Sequence, residues 1–444
     1  MNFKTHLMQF LDQKEVESLL DSLQLPNQTA FRINTLKVKN VNELFDNSLF
    51  PFHPYVKDGY YYNKEISLLG KSILFEAGAY YIQEPSAMMA VELLNPRAGD
   101  KVLDMCAAPG GKSFHAINLM QDKGLLISND IHPIRAQILS SNMEKCGCKQ
   151  IIVLQDDSKK YKQKFLSFFD KIILDAPCSG SGMFRKNEFA ITDWSMEKVL
   201  QCQKMQLSLL EDAYEMLNRE GILLYSTCSF SKEENEDVIQ IFLKEHSDCN
   251  LIKIPLKEDF LPSIGIEGAV RLHPNHYKGE GHFIALIQKR GVKNNLQKKE
   301  QLKMKKNIHP AVIQFLNDFQ FSYDKNKIVN WDDHYYYADF DIPSLERIKF
   351  LRYGLSLGEI KNNRFIPNHA FAMYHQHSNH CIALTKEQAQ KYIAGECIQY
   401  LKEGKGYQIV TYKNLPLGWV KQVGYQLKNH YPKGLRKKIE NIDD

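Results

Sequence analysis

Through the middle of the chain, short apolar runs alternate with segments whose apolar residues recur at helical spacing. Runs ending at Cys106, Asp130, Leu154, Asp175 and Ser226 read as strands, and Ile134 to Lys145 and Leu200 to Leu217 read as intervening helices. Such alternation predicts an α/β fold, with a parallel sheet covered by helices on both faces. Ser231-Lys-Glu-Glu234 has the spacing of a capping box, and Val238, Ile241 and Phe242 then share one helical face. A helix is therefore expected directly behind Cys228. The run His282 to Ile287 reads as a last strand.

Outside this region the pattern is weaker. Residues 1–75 mix a short helical pattern with the polar, tyrosine-rich Tyr60-Tyr-Tyr62, which predicts a small α+β appendage before a main domain at 76–290. Residues 291–307 read as a basic linker and 308–375 as a small mixed domain. In 376–444, Gly404, Gly406, Pro416, Gly418 and Gly424 are expected to break the chain into the short runs of a β-rich barrel.

A chain of 444 residues exceeds one ordinary core, and 43% hydrophobic with 25% charged residues excludes a disordered protein. The net charge of +5 is mild, but it is concentrated. Lys289 to Lys306 carries eight bases against Glu300 alone, and Lys421 to Lys438 carries six bases and no acid. Nine cysteines without a Cys-x-x-Cys pair argue against zinc and against a disulfide framework. The amino terminus lacks the apolar core of a secretory signal and no run approaches a membrane span, so a cytoplasmic protein with reduced thiols is expected.

Three segments carry the candidate chemistry. Val102-Leu-Asp-Met-Cys-Ala-Ala-Pro-Gly-Gly-Lys112 reads as strand, glycine turn and helix, an arrangement that seats nucleotide-type cofactors at the carboxyl edge of a sheet. The next strands end in Asp130, placed to hold ribose hydroxyls, and in Asp156 and Asp157, placed to accept from an adenine amino group. A lone strand-end Asp is ordinarily a turn cap; its recurrence at successive strand ends favours a cofactor.

The other two segments are Leu174-Asp-Ala-Pro-Cys-Ser-Gly-Ser-Gly182 and Tyr225-Ser-Thr-Cys-Ser229, which put two thiols at the ends of strands expected to be near neighbours. A thiol is useful where a substrate carbon resists direct attack, as at carbon 5 of cytosine, which becomes nucleophilic once a thiolate adds at carbon 6. That chemistry needs a thiolate, an acid or strong hydrogen bond facing N3, and a group assisting proton loss and thiol release. Cys178 and Cys228 supply the thiols. Asp175, on the same Pro-stiffened loop as Cys178, supplies the acid, and Lys112 adds positive charge. Helix N–H groups behind Cys228 are expected to favour its thiolate.

These three motifs together resemble the signatures of the Nop/Sun family of RNA (cytosine-5) methyltransferases. Phe31-Arg-Ile-Asn-Thr-Leu36, Gln83-Glu-Pro-Ser-Ala87 and Gly279-Glu-Gly-His-Phe283 are similar to further family signatures. Gly418-Trp-Val-Lys-Gln and Gln426 to Leu435 resemble the PUA-like RNA-binding module of the bacterial small-subunit rRNA methyltransferase F branch. The resemblance implies a Rossmann-like class I methyltransferase sheet using S-adenosyl-L-methionine. Its site would comprise Cys106, Ala107, Ala108, Pro109, Gly110, Gly111, Lys112, Asp130, Asp157 and Asp175. It also implies Cys228 as nucleophile, Cys178 as the thiol aiding release, and structured RNA, 16S rRNA first, as substrate. Methylation of tRNA or DNA, and a non-catalytic ribosome-assembly role, stay open as alternatives.

Overall fold

The computed structural model describes residues 2–44, 50–64, 68–186, 188–292, 308–375 and 379–439. The basic linker expected at 291–307 therefore lies almost wholly outside the described residues.

Two helices open the chain, Phe3–Leu7 and Gln13–Ser22, capped by the Asn2 and Asp12 side chains. An antiparallel sheet follows, with β1 (Ala30–Ile33) between β2 (Gly59–Tyr61) and β3 (Tyr80–Gln83). The appendage thus reaches past residue 75, since Phe31 pairs with Ile82 and Arg32 with Tyr81. Aromatic packing draws β3 in: the Phe31 ring lies 5.3 Å from both Tyr60 and Tyr80.

The main sheet is built from β4 (Lys101–Asp104), β5 (Leu125–Asn129), β6 (Ile151–Leu154), β7 (Phe169–Asp175), β8 (Leu217–Thr227), β9 (Cys249–Ile252), β10 (Leu261–Pro262), β11 (Val270–Leu272) and β12 (His282–Lys289). Its order is β10-β11-β12-β8-β7-β4-β5-β6, with β9 also pairing β12. The five strands β8 to β6 are parallel, as expected, whereas β12 runs antiparallel to β8. Period-two alternation divides each central strand between two cores. Val102, Leu126 and Ile173 pack with the face carrying Met88, Phe114 and Leu139; Leu103, Ile127 and Ile172 pack with Leu210 and Val238 opposite. No helix among the described residues is long and apolar enough to cross a membrane.

The 308–375 segment is not a free-standing unit. It holds the sheet of β13 (Ile328–Trp331), β14 (His334–Tyr337), β16 (Leu355–Lys361) and β17 (Arg364–Pro367), but its β15 (Phe350–Tyr353) pairs with β6 and extends the main sheet. At the carboxyl end, β18 (Cys381–Ala383), β19 (Ile398–Tyr412) and β20 (Leu415–Asn429) form a third sheet. The glycines expected to break this region lie inside two strands of 15 residues each. Register shifts beside Gly404 and near Pro416 absorb them as bulges rather than turns.

Glu144 ties these pieces together. It accepts from His369 Nδ1 at 2.7 Å and pairs with Arg352 at 2.5 Å, while His369 Nε2 lies 3.1 Å from the Leu417 carbonyl oxygen. Burial opposes ionisation of Glu144, but Arg352 and His369 outweigh it and lower its pKa from 4.5 to about 2. A depressed carboxyl pKa stabilises the fold fully above the unfolded value and loses that contribution as pH falls through the folded one. Glu144→Gln is therefore expected to cost ~2 kcal/mol near neutral pH, the gap closing between about pH 5 and about pH 2. Urea unfolding of both proteins across that range checks it; a pH-independent gap contradicts it.

Candidate active site

The carboxyl ends of β4, β7 and β8 lie side by side, and register places Asp175 opposite Ser226. After β4 the chain turns at Gly110, whose φ of +115° is in the region glycine favours, and helix Gly111–Leu119 begins with no side chain capping it. Its amino-terminal N–H groups are left for another acceptor. Arg135 donates to the Ala108 carbonyl and Asn142 to that of Pro109, both at 2.8 Å, and Ala107 N–H donates to Asn129 O, which holds the Cys106 to Gly111 turn open.

Beneath this turn Asp104 is fully buried. Ser113 Oγ donates to its Oδ2 at 2.7 Å, while its Oδ1 has no partner, and burial pushes its pKa up to about 7. An orphaned buried acceptor beside an uncapped helix start fits a polar ligand that brings donors to this edge. Asp130 stands at the end of β5, paired with Arg135 at 3.2 Å and accepting from His132 N–H. Asp156 is taken up by Lys160 at 2.8 Å and by the Lys349 and Asp157 N–H groups. Asp157 caps helix Ser158–Tyr161 through Oδ1 and keeps its second oxygen open among the described residues.

Lys112 links the turn to the thiols, its Nζ 2.8 Å from Asp175 Oδ2. Ser226 Oγ donates to Asp175 Oδ1 at 2.8 Å, and His282 Nε2 lies 3.4 Å from the same oxygen. Burial works against the Asp175 charge, but Lys112 and His282 prevail and hold its pKa well below the usual carboxylate range. Asp175 is thus held toward its carboxylate form in the free protein, where the motif predicts an acid.

The sulfurs of Cys178 and Cys228 are 3.3 Å apart, both as free thiols. The hydrogen bond between them, together with burial, raises the Cys178 pKa well above the ordinary value. Close contact of the two loops depends on Gly182: its N–H donates to Cys228 O at 2.7 Å, and a Cβ there would stand 2.6 Å from that oxygen. Beside Cys178 opens a cavity of about 470 Å³, lined also by Gly180, Met183, Thr192, Asp193 and Lys198, within the usual size of small-ligand pockets.

Four family models match in succession. They are the N-terminal domain of 16S rRNA methyltransferase RsmF (residues 1–85), 16S rRNA methyltransferase RsmB/F (91–288), the RsmF rRNA methyltransferase first C-terminal domain (314–374) and the methyltransferase RsmF PUA domain (379–437). Ribosomal RNA small subunit methyltransferase F of Vibrio parahaemolyticus is 30% identical over 95% of this chain and 94% of its own length. The chain belongs to the RsmB/F family of 16S rRNA methyltransferases.

Solved structures agree. A methyltransferase homolog protein from Pyrococcus horikoshii matches with TM-score 0.56 and 33% identity over 64% of this chain and 93% of that one. NSun6 of the same organism, in a crystal structure with SFG, matches in fold with TM-score 0.58 and 22% identity over 66% of this chain and 98% of that one. This RsmB/F member is thus an RNA methyltransferase with a Rossmann-like sheet and a C-terminal PUA-like domain.

One local expectation fails in this family member. Ser231 precedes a 3₁₀ turn, Lys232–Glu234, but its side chain makes no cap; its Oγ is buried without a partner, and the α-helix begins only at Glu236. Cys228 is therefore separated from the start of the α-helix by this turn. Glu234 turns inward to the thiol loops, and Glu236 pairs with buried Arg271 at 2.5 Å, so tertiary partners take both carboxylates. His282 and Ser226, the partners of Asp175, were not singled out from the sequence as site residues. Both lie within quoted motifs, but their inward direction follows from the register of β8 and β12. Among the described residues Glu211, Glu245 and His246 bring possible metal-binding atoms together, and His246 is already paired with Glu211 at 2.8 Å.

Proposed function

We propose that this RNA methyltransferase transfers a methyl group from S-adenosyl-L-methionine to carbon 5 of cytidine in small-subunit ribosomal RNA, through a covalent bond from Cys228 to carbon 6. The observation that carries this reading is the pair of thiols 3.3 Å apart, next to a carboxylate that a lysine from the glycine turn holds ionised. When bound, the cofactor supplies an electrophilic methyl group. The turn Cys106 to Lys112, with Asp130, Asp157 and the orphaned oxygen of Asp104, would hold it.

The protein's own groups then divide the work. Cys228 forms the bond to carbon 6, and the Lys112–Asp175 pair faces N3, offering both a proton and an acceptor. After methylation the carbon 5 proton must leave and the sulfur–carbon bond must break. Cys178, in contact with the attacking sulfur, passes its proton to that sulfur as the bond to carbon 6 breaks and takes up the carbon 5 proton in exchange, while the electrons of the carbon–hydrogen bond restore the ring double bond. The raised pKa of Cys178, from its bond to Cys228 and from burial, suits a thiol that holds a proton to hand on.

The cavity opening on Cys178 favours a second reading in which Cys178 attacks instead. The PUA-like domain and the match to rRNA methyltransferases support a ribosomal substrate in the cytoplasm. Incubation of small-subunit RNA with the protein and methyl-labelled S-adenosylmethionine, followed by bisulfite sequencing, tests the proposal. Newly protected cytosines are expected; label incorporated without any protected cytosine overturns it.

A further inference from the structure

Beyond the residues that would touch cytidine, one buried side chain reaches both thiol loops. Glu234 has no solvent exposure. Its Oε1 accepts from Ser179 N–H at 2.7 Å and from Gln206 Nε2 at 3.2 Å; its Oε2 accepts from the hydroxyls of Ser179 and Ser229, each at 2.5 Å. Ser179 follows Cys178 and Ser229 follows Cys228 in the chain. The same Gln206 also donates to the carbonyl of Pro177 at 2.9 Å, so the residues on both sides of Cys178 are fixed.

We infer that Glu234 is the positioning residue of the two-thiol centre, setting the distance between Cys178 and Cys228 by bonding the serine beside each. A loop carrying a nucleophile has several accessible backbone states, and a misplacement of even about 1 Å can cost ~100-fold in rate. Other ties between the loops are Ser179 Oγ to Ser229 Oγ at 3.2 Å, Gly182 N–H to Cys228 O at 2.7 Å and Phe230 N–H to Ser181 Oγ at 2.8 Å; Glu234 braces the first of these by bonding both hydroxyls and the Ser179 N–H. Among the described residues Glu234 alone bonds to both flanking serines. Its surroundings suit an acceptor: Tyr225 OH donates to its own carbonyl at 2.5 Å, Cys202 lies alongside, and Glu233 is turned away toward His6 at 3.3 Å. The charge of Glu234 also contributes to the elevated pKa of Cys178, after the bond to Cys228 and burial.

This inference rests on the proposed two-thiol reaction, and its test includes a measurement that does not. In the full-length enzyme, Glu234→Ala is expected to lower kcat ~100-fold while KM for RNA and Kd for S-adenosylmethionine stay within about threefold, because Glu234 has no exposed surface to offer either ligand. Glu234→Gln keeps the shape and an acceptor oxygen, and is expected to recover kcat to within about tenfold of wild type. In the free enzyme, iodoacetamide labelling read by mass spectrometry is expected to show Cys178 reacting ~10-fold faster in Glu234→Ala, as the loop loosens. Unchanged kcat and unchanged Cys178 labelling in Glu234→Ala overturn the inference, as does a loss that Glu234→Gln does not relieve. If wild type methylates no cytosine, the proposed function fails, yet the labelling result still reports on positioning.

Discussion

Replacing Cys228 by alanine is expected to abolish methylation of RNA, with kcat falling by at least ~10⁴-fold, since without the sulfur adduct carbon 5 of cytosine is not nucleophilic enough to take a methyl group. The loss should be confined to chemistry. Cys228 is only partly buried, so removing one sulfur leaves a small void and stability changes by no more than ~1 kcal/mol. Binding of S-adenosylmethionine, measured by equilibrium dialysis, should be unchanged, because the turn at Gly110 and the Lys112–Asp175 pair stand without it. Full turnover by Cys228→Ala, with Cys178→Ala dead, would transfer the attack to the thiol that lines the cavity.

The sheet was legible in the sequence because its signals are local. Apolar runs of strand length end at Cys106, Asp130, Leu154, Asp175 and Ser226, and the helices expected at Ile134 to Lys145 and Leu200 to Leu217 appear as Pro133–Cys146 and Met196–Met216. The thiol loops were legible for a similar reason, since Pro and Gly at short spacing leave few backbone choices. What could not be read depends on partners distant in the chain. Glu234 has the spacing of a helix cap, yet Ser179 and Gln206 from other elements, together with Ser229 on its own loop, take its carboxylate instead. The ionised state of Asp175 depends on Lys112 and His282, brought in by a helix and by another strand.

The outer regions repeat the lesson. Gly404, Gly406, Gly418 and Gly424 are breakers by composition, but a 15-residue partner strand offers hydrogen bonds on either side of each and turns them into irregularities. Strand β15 carries nothing in its own sequence that assigns it to the main sheet. Its place is set by the free edge of β6 and by Arg352 reaching Glu144.

Replacing Cys178 by alanine is expected to leave attack intact but stall release, so that protein accumulates covalently joined to RNA. The two sulfurs are 3.3 Å apart, and the groups nearest the bond between Cys228 and carbon 6 would be Cys178 and Asp175. Asp175 cannot readily replace Cys178 as proton carrier, because Lys112 and His282 keep it ionised far below neutral pH. Loss of the second thiol therefore removes the nearest group able to exchange a proton during elimination, at a cost in release of ~10²–10⁴-fold. Incubating the variant with RNA and S-adenosylmethionine, then running a denaturing gel, should show a slow-migrating band that ribonuclease converts back toward free protein. The band should vanish in the Cys178→Ala, Cys228→Ala double variant. A Cys178→Ala protein that turns over at the wild-type rate without adduct would assign release to another base, with His282 the next group to replace.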